Sequence, residues 1–294
     1  MKNSTTGRNV KTKIRKVEWS LMMMSQFDRA VGISLQPNGL WTAYVHPAFL
    51  MGAGAFGGWL LAIATRAILA SAGAGMHPKS LSAEFVAAAP VNSLVTIGLQ
   101  LLRSTWASER WRAQLHLADG TLVADITMLL SRMHNDAGFE VVTMPAVARP
   151  SELGALPDDQ FPGTWVGSYE MRHALGMPRE SADGRSLVWT RLADEQPMDF
   201  ERLTALTDAS IARSYYRPPP HPSIATVSLS AHYHCTPDAL EELGDAFLLV
   251  EAFTNIGRNG YFDQDARIWS PDGCLLATSR QLVRARSVRE TGPP

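Results

Sequence analysis

Residues 116–122 read HLADGTL and residues 269–275 read WSPDGCL, each placing Asp-Gly between two runs rich in strand-forming residues. Asp-Gly in that setting is a strong hairpin signal, because glycine supplies the positive φ that a two-residue turn demands. The two hairpins are copies. Asp119 matches Asp272, Gly120 matches Gly273, Leu122 matches Leu275 and Ala124 matches Ala277, all at an offset of 153 residues. Upstream, Leu81-Ser82-Ala83 recurs as Leu229-Ser230-Ala231 at an offset of 148, so the repeat takes in a further strand. The copies differ where chemistry is at stake: Met128 stands opposite Gln281, and Pro78 opposite Thr226.

A chain of 294 residues suits two domains of ordinary size, each able to bury its own core. A formal net charge of −1 with 46% hydrophobic residues gives no electrostatic footprint for nucleic acid. Cys235 and Cys274 have neither metal-site nor CxxC spacing and read as reduced thiols, which points to a reducing compartment, the cytoplasm. Lys2, Arg8, Lys11, Lys13, Arg15 and Lys16 are followed by no apolar stretch before Trp19, so residues 1–24 read as a disordered tail rather than a secretory signal. Residues 57–76 have the length of a membrane span, but Arg66 sits in their middle and glycines break their end. They read as a buried helix, with no membrane partner.

Residues 41–46 pattern as a strand and 57–71 as a helix that is apolar almost all round, polar only at Thr65 and Arg66. From Ser80 the apolar period becomes two, through Leu81, Ala83 and Phe85, then the runs around 95–101, 111–117 and 122–130. Residues 135–163, rich in Pro, Gly and Asp, read as the linker between an N-terminal unit, 25–134, and a C-terminal unit, 164–286, with 287–294 a second tail. The second unit repeats the order. A strand at 187–192 precedes a helix capped by Asp199, with Phe200, Leu203, Leu206 and Ile211 toward a core and Pro218 ending it. Strands follow at 224–234, 246–254, 260–269 and 275–284, with turns at Pro237-Asp238 and Asp272-Gly273. In each copy the helix is the one element able to cover the apolar face of the antiparallel sheet. The expected class is therefore α+β, two tandem antiparallel sheets each wrapped around a long central helix.

This order, twice, resembles the double hotdog fold, and the residues resemble the acyl-CoA thioesterase II family over about residues 25–286. Gly54-Ala55-Phe56-Gly57-Gly58-Trp59 is similar to the Phe-Gly-Gly of that family at the start of its central helix. Leu206-Thr207-Asp208-Ala209, Ala225-Thr226-Val227 with Tyr233-His234, and the stretch 276–281, LATSRQ, resemble the segments that carry its catalytic Asp, Thr and Gln. The chain departs from the pattern after Thr226, where Ser228-Leu229 replaces a frequent Asp-His pair, so the family's acyl preference is not carried over. The resemblance implies an acyl-CoA thioesterase of fatty acid and lipid metabolism without cofactor or metal, its partner the acyl-CoA substrate, and admits a homo-oligomer of double hotdog units. Asp208, Thr226 and Gln281 would be catalytic, and Gly57 and Gly58 would bind substrate through free N–H groups at a helix start. Without the resemblance, Asp208 reads as a solvated helix carboxylate, Thr226 and Gln281 as ordinary strand residues, and the glycines as a tight turn.

Three other motifs lack their context. Residues 52–57 spell GxGxxG before a helix, but no acid occurs between Gly57 and Glu84 and the pattern that follows is antiparallel, which excludes a dinucleotide fold. His232 and His234 alternate along one strand with Cys235 next to them, and no further ligand stands at useful spacing. No GxSxG elbow is present, and Arg213 stands where a hydratase-type His would follow Asp208. The rival to hydrolysis on the same scaffold is non-catalytic binding of acyl-CoA or an acyl carrier.

Overall fold

Both Asp-Gly hairpins form, with φ of +88° at Gly120 and +92° at Gly273. The computed structural model describes residues 24–133, 138–156, 161, 163–178, 184–216 and 223–286. Nearly all of the first expected tail, the whole of the second, part of the expected linker, and Pro218 lie outside the described residues.

The first half runs α1 (Gln26–Ala30), β1 (Ser34–Leu35), β2 (Trp41–Tyr44), the short hairpin β3 (Leu50–Met51) and β4 (Gly54–Ala55), and α2 (Gly57–Ser71). It continues with β5 (His77–Phe85), β6 (Leu94–Ser104), β7 (Ser108–Leu117) and β8 (Leu122–Ser131). The second half runs β9 (Tyr169–Leu175), β10 (Ser186–Leu192), α3 (Phe200–Leu206), β11 (Ser223–Tyr233), α4 (Pro237–Glu242) and β12 (Leu248–Phe253). It ends with β13 (Gly257–Arg258), β14 (Tyr261–Trp269) and β15 (Leu275–Arg286).

The expectation of two separate sheets is corrected by the strand order, β1-β2-β6-β7-β8-β5-β11-β15-β14-β12-β10-β9, a single 13-stranded sheet once β13, paired to β14, is included. The join is the repeated tripeptide itself. Leu81 pairs with Ala231, Ser82 with Ser230 and Ala83 with Leu229, antiparallel, so each copy lies against its own duplicate about a point between the two serines. Two edges that would otherwise stand open satisfy one another there. The bulges are duplicated too: the ladder shifts between Pro78 and Ser80 and again between Thr226 and Ser228, and likewise at Leu115/His116 and Ile268/Trp269.

Helix α2 matches its expected bounds and is buried on nearly every side; Leu61, Ile63 and Ile68 are fully enclosed, each such side chain stabilising by roughly 1.5–3 kcal/mol. Arg66 escapes the core by reaching Glu201 of α3 at 2.5 Å and Asp28 of α1 at 3.0 Å, while Arg202 holds Asp28 at 2.8 Å and pairs with Asp199. This ion cluster ties three helices together. The second central helix is a correction: α3 has only seven residues rather than the expected long span. Asp199 caps it as expected, accepting from the Arg202 N–H at 2.7 Å. Its end is set by Thr207, whose hydroxyl donates back to the Thr204 carbonyl at 2.7 Å and competes with the helical ladder. Ala209 and Ile211 remain buried although they are no longer helical. Pro237-Asp238, expected as a turn, instead opens α4 behind the Thr236 cap.

Residues 138–156 cross the far face of the second half's sheet. Val142, Met144, Val147 and Leu153 cover Leu187, Trp189, Leu249 and Trp269, and the Trp189 indole N–H donates to the Ala148 carbonyl at 2.8 Å. Covered on both faces, β10 and β12 are buried continuously instead of alternately. Among the described residues no helix is long and apolar enough to cross a membrane.

Candidate active site

Asp208 follows the C-cap of α3, in a turn tightened to i→i+3 bonds: its N–H donates to Ala205 at 3.3 Å and that of Ala209 to Leu206 at 3.1 Å. The solvated helix carboxylate of the bare sequence reading does not survive, since Asp208 is 6% exposed. Its side chain faces the start of α2. That helix has Phe56 at its N-cap, which offers no side-chain acceptor, so a carboxylate from another segment meets the positive end of the helix. A methyl group built on Gly57 would stand 2.5 Å from Asp208 Oδ2, and one on Gly58 would stand 2.6 Å from the Ala205 carbonyl oxygen. The two glycines are what allow α2 to come this close.

The sheet supplies the rest. Gln281 on β15 is 4% exposed; its Nε2 donates to the Thr207 carbonyl at 3.5 Å and its Oε1 accepts from the Thr226 hydroxyl at 3.3 Å. Ser279, two residues earlier on the same face, donates to the same Thr207 carbonyl at 2.8 Å. The Asp208 turn is thus pinned to β15 from below. Thr226 sits at the bulge in β11, the device by which a strand re-aims one side chain. Burial pushes the Asp208 carboxyl up to about 7, opposed by the Gly58 N–H and the Gln281 amide, both of which favour its charged form. The Tyr169 phenol, pushed up by burial and then by the charges of Asp208 and Asp194, stays a neutral hydroxyl.

All five residues singled out in the sequence therefore meet in one place. Ser279 and the buried Gln264, which pairs with Gln281 in register on β14, were missed, although the repeat holds their signal: at the offset of 153 they stand opposite Ile126 and Trp111. The first half is apolar at each of these positions, with Met128 1% exposed and Pro78 and Ile126 also buried. Met128→Gln is accordingly expected to cost about 1–3 kcal/mol and to add no turnover, because it buries an amide among Leu81, Trp111 and other apolar neighbours. Urea unfolding beside a thiol-release assay checks both; a stable or more active variant would mean that this half holds a polar partner for the amide.

Family models match the chain twice. Residues 45–131 match the acyl-CoA thioesterase N-terminal domain and residues 143–285 the acyl-CoA thioesterase C-terminal domain, which together take in most of the sequence. The chain belongs to the acyl-CoA thioesterase family. Among solved structures, a protein of unknown function with a hot dog fold from Alicyclobacillus acidocaldarius superposes with a TM-score of 0.83 at 26% identity, over 90% of this chain and 99% of that one. A candidate thioesterase II from Thermobifida fusca gives 0.78 at 18%, over 90% and 98%. Acyl-CoA thioesterase II TesB2 from Mycobacterium marinum gives 0.69 at 14%, over 91% and 99%. The last two likenesses speak for the hotdog fold alone. A comparison with curated proteins finds no match. Within this thioesterase family the chain keeps its polar constellation in the C-terminal domain, against the N-terminal helix start of the other.

Proposed function

We propose that the protein hydrolyses an acyl-CoA thioester to a carboxylic acid and CoA by direct attack of water. Asp208 takes a proton from the water as its oxygen bonds to the thioester carbon, and Thr226 and Gln281 orient that water. The Gly57 N–H receives the negative charge that gathers on the carbonyl oxygen, while the Gly58 N–H, bonded to Asp208, holds that carboxylate beside the substrate. Collapse of the tetrahedral adduct breaks the carbon–sulfur bond, and the proton held by Asp208 leaves with the CoA thiol. No metal or cofactor enters these steps. On this reading the enzyme serves fatty acid metabolism in the cytoplasm, binds neither nucleic acid nor membrane, and assembles, if at all, with further copies of itself.

The observation that carries the reading is the buried carboxylate whose ionisation falls near neutrality, set among polar side chains in one copy of a repeat that is apolar in the other. A binding protein that performs no chemistry has no use for that charge. The test is release of free thiol from acyl-CoAs of increasing chain length. Gln281→Ala is expected to lower kcat by roughly 10- to 100-fold with KM nearly unchanged, the pattern of an interaction made mainly in the transition state. Tight binding of acyl-CoA without thiol release from any of them would establish the binder instead.

A further inference from the structure

With the Gly58 N–H engaged by the Asp208 carboxylate, the start of α2 leaves the Gly57 N–H for the thioester oxygen. Charge that develops on such an oxygen is ordinarily met by more than one fixed donor. A second donor lies on β9. The ladder of β9 to β10 is regular from Tyr169 to His173, so Tyr169, Met171 and His173 share one face of the strand, and the first two are buried. His173 Nε2 lies 3.2 Å from the Tyr216 hydroxyl, and Met171 borders a small cavity with Ala209, Ser210 and Ile211. This face of β9 therefore follows residues 208–216 in reverse order, which brings Tyr169 to the Asp208 end. After burial itself, the charge of Asp208 is the strongest influence on the Tyr169 phenol, ahead of Asp194.

The ring of Tyr169 is held by other rings. Trp165 stacks on Phe56, the N-cap of α2, at 4.6 Å between centroids, and meets Tyr169 edge-on at 5.9 Å; Phe49 meets Tyr169 edge-on at 6.5 Å. A continuous aromatic train thus links the helix start to the phenol. The hydroxyl, by contrast, is buried and has no hydrogen-bond partner among the described residues. A buried tyrosine usually finds one. Neither Asp208 nor Asp194 accepts from it, although it feels the charge of both. A neutral donor is therefore fixed in place and unused, next to the carboxylate assigned to the chemistry.

We propose that Tyr169 is a further catalytic residue, whose hydroxyl donates to the thioester carbonyl oxygen and, with the Gly57 N–H, holds the oxyanion while water attacks. This rests on the thioester-hydrolase reading above. As the carbon becomes tetrahedral, its oxygen takes up the π electron pair of the carbonyl and the hydrogen bond from Tyr169 strengthens. Burial holds the proton on the phenol, so Tyr169 donates without transferring it; the proton of the water still passes to Asp208 and leaves with the thiol.

Tyr169→Phe removes one oxygen and keeps the ring contacts. Thiol release is measured with acetyl-, hexanoyl-, lauroyl- and palmitoyl-CoA. On those that the wild type cleaves, the variant is expected to lose about 10²-fold in kcat with KM nearly unchanged. Its melting temperature should equal or exceed that of the wild type, since no hydrogen bond of the free protein is lost. A second readout reports the bond itself: the infrared carbonyl band of an isotope-labelled acyl-CoA bound to Asp208→Asn should move to higher frequency when Tyr169→Phe is added. Wild-type kcat in Tyr169→Phe, or an unmoved carbonyl band, overturns this inference and leaves the hydrolase reading standing. A melting temperature several degrees lower overturns it too, because it would show that the hydroxyl serves a protein group such as Asp194. Release of no thiol from any of the four by the wild type overturns both.

Discussion

Asp208→Asn is expected to be inactive and, above neutral pH, more stable than the wild type. Loss of a general base costs roughly 10²- to 10⁴-fold in kcat. The gain in stability follows from the same burial. In the folded chain Asp208 holds its proton up to about pH 7, whereas in the unfolded chain it ionises near 3.8. Between those values the folded state binds more protons, so stability falls as pH rises, and above about 7 the penalty is constant. Three pH units correspond to about 4 kcal/mol, and an isosteric amide should recover on the order of 2 to 4 kcal/mol of it at pH 8.5 and almost none at pH 4. Urea unfolding at the two pH values checks the sign; a variant no more stable at pH 8.5 would mean that the carboxylate is not desolvated. In the wild type kcat/KM should climb about tenfold per pH unit below 7 and level off above it.

The second large effect separates the two glycines at the start of α2. Gly57→Ala would drive its methyl group toward Asp208 Oδ2 and, less closely, the Phe85 ring, both side-chain atoms that can give way. It should keep most of its stability while losing about 100-fold in kcat, since displacement of a reacting group by about 1 Å is worth that much. Gly58→Ala meets the Ala205 backbone oxygen at 2.6 Å as well as the Phe56 ring, and backbone cannot rotate aside. α2 and α3 must separate, at a cost of about 3 kcal/mol. Melting temperature and kcat measured on both variants should thus fall in opposite order of severity. Equal effects on the two would show that the helices are free to shift.

The repeat made much of this legible. Two offsets, 153 and 148, taken from short matches, reproduce the register of β5 with β8 and of β11 with β15, down to the bulges, because a ladder with one buried face tolerates no slip. The same offsets place Met128 opposite Gln281 in three dimensions, so the contrast between polar and apolar copies is legible in the sequence. The length of α3 could not. Apolar residues at 203, 206 and 211 keep helical spacing across a point where the chain has already left the helix, and burial alone cannot report that. Nor was the join of the sheets readable, since nothing in Leu81-Ser82-Ala83 says that its partner is its own duplicate. Gln264 and Ser279 were missed because single polar residues in strands are ordinary; only their apolar counterparts in the other copy mark them.

The pairing of β5 with β11 also has a consequence for the birth of the chain. Ser82 must wait for Ser230, 148 residues later, and at ordinary rates of synthesis that is a delay of roughly 7–30 s. Throughout it the nascent N-terminal half carries a nine-residue strand with one open edge and no cover, the template on which neighbouring chains can add strands. The demand of this protein on chaperones during translation is thus written into the seam that unites its halves, and a nascent chain stalled before residue 223 should be far more prone to aggregate than the finished one.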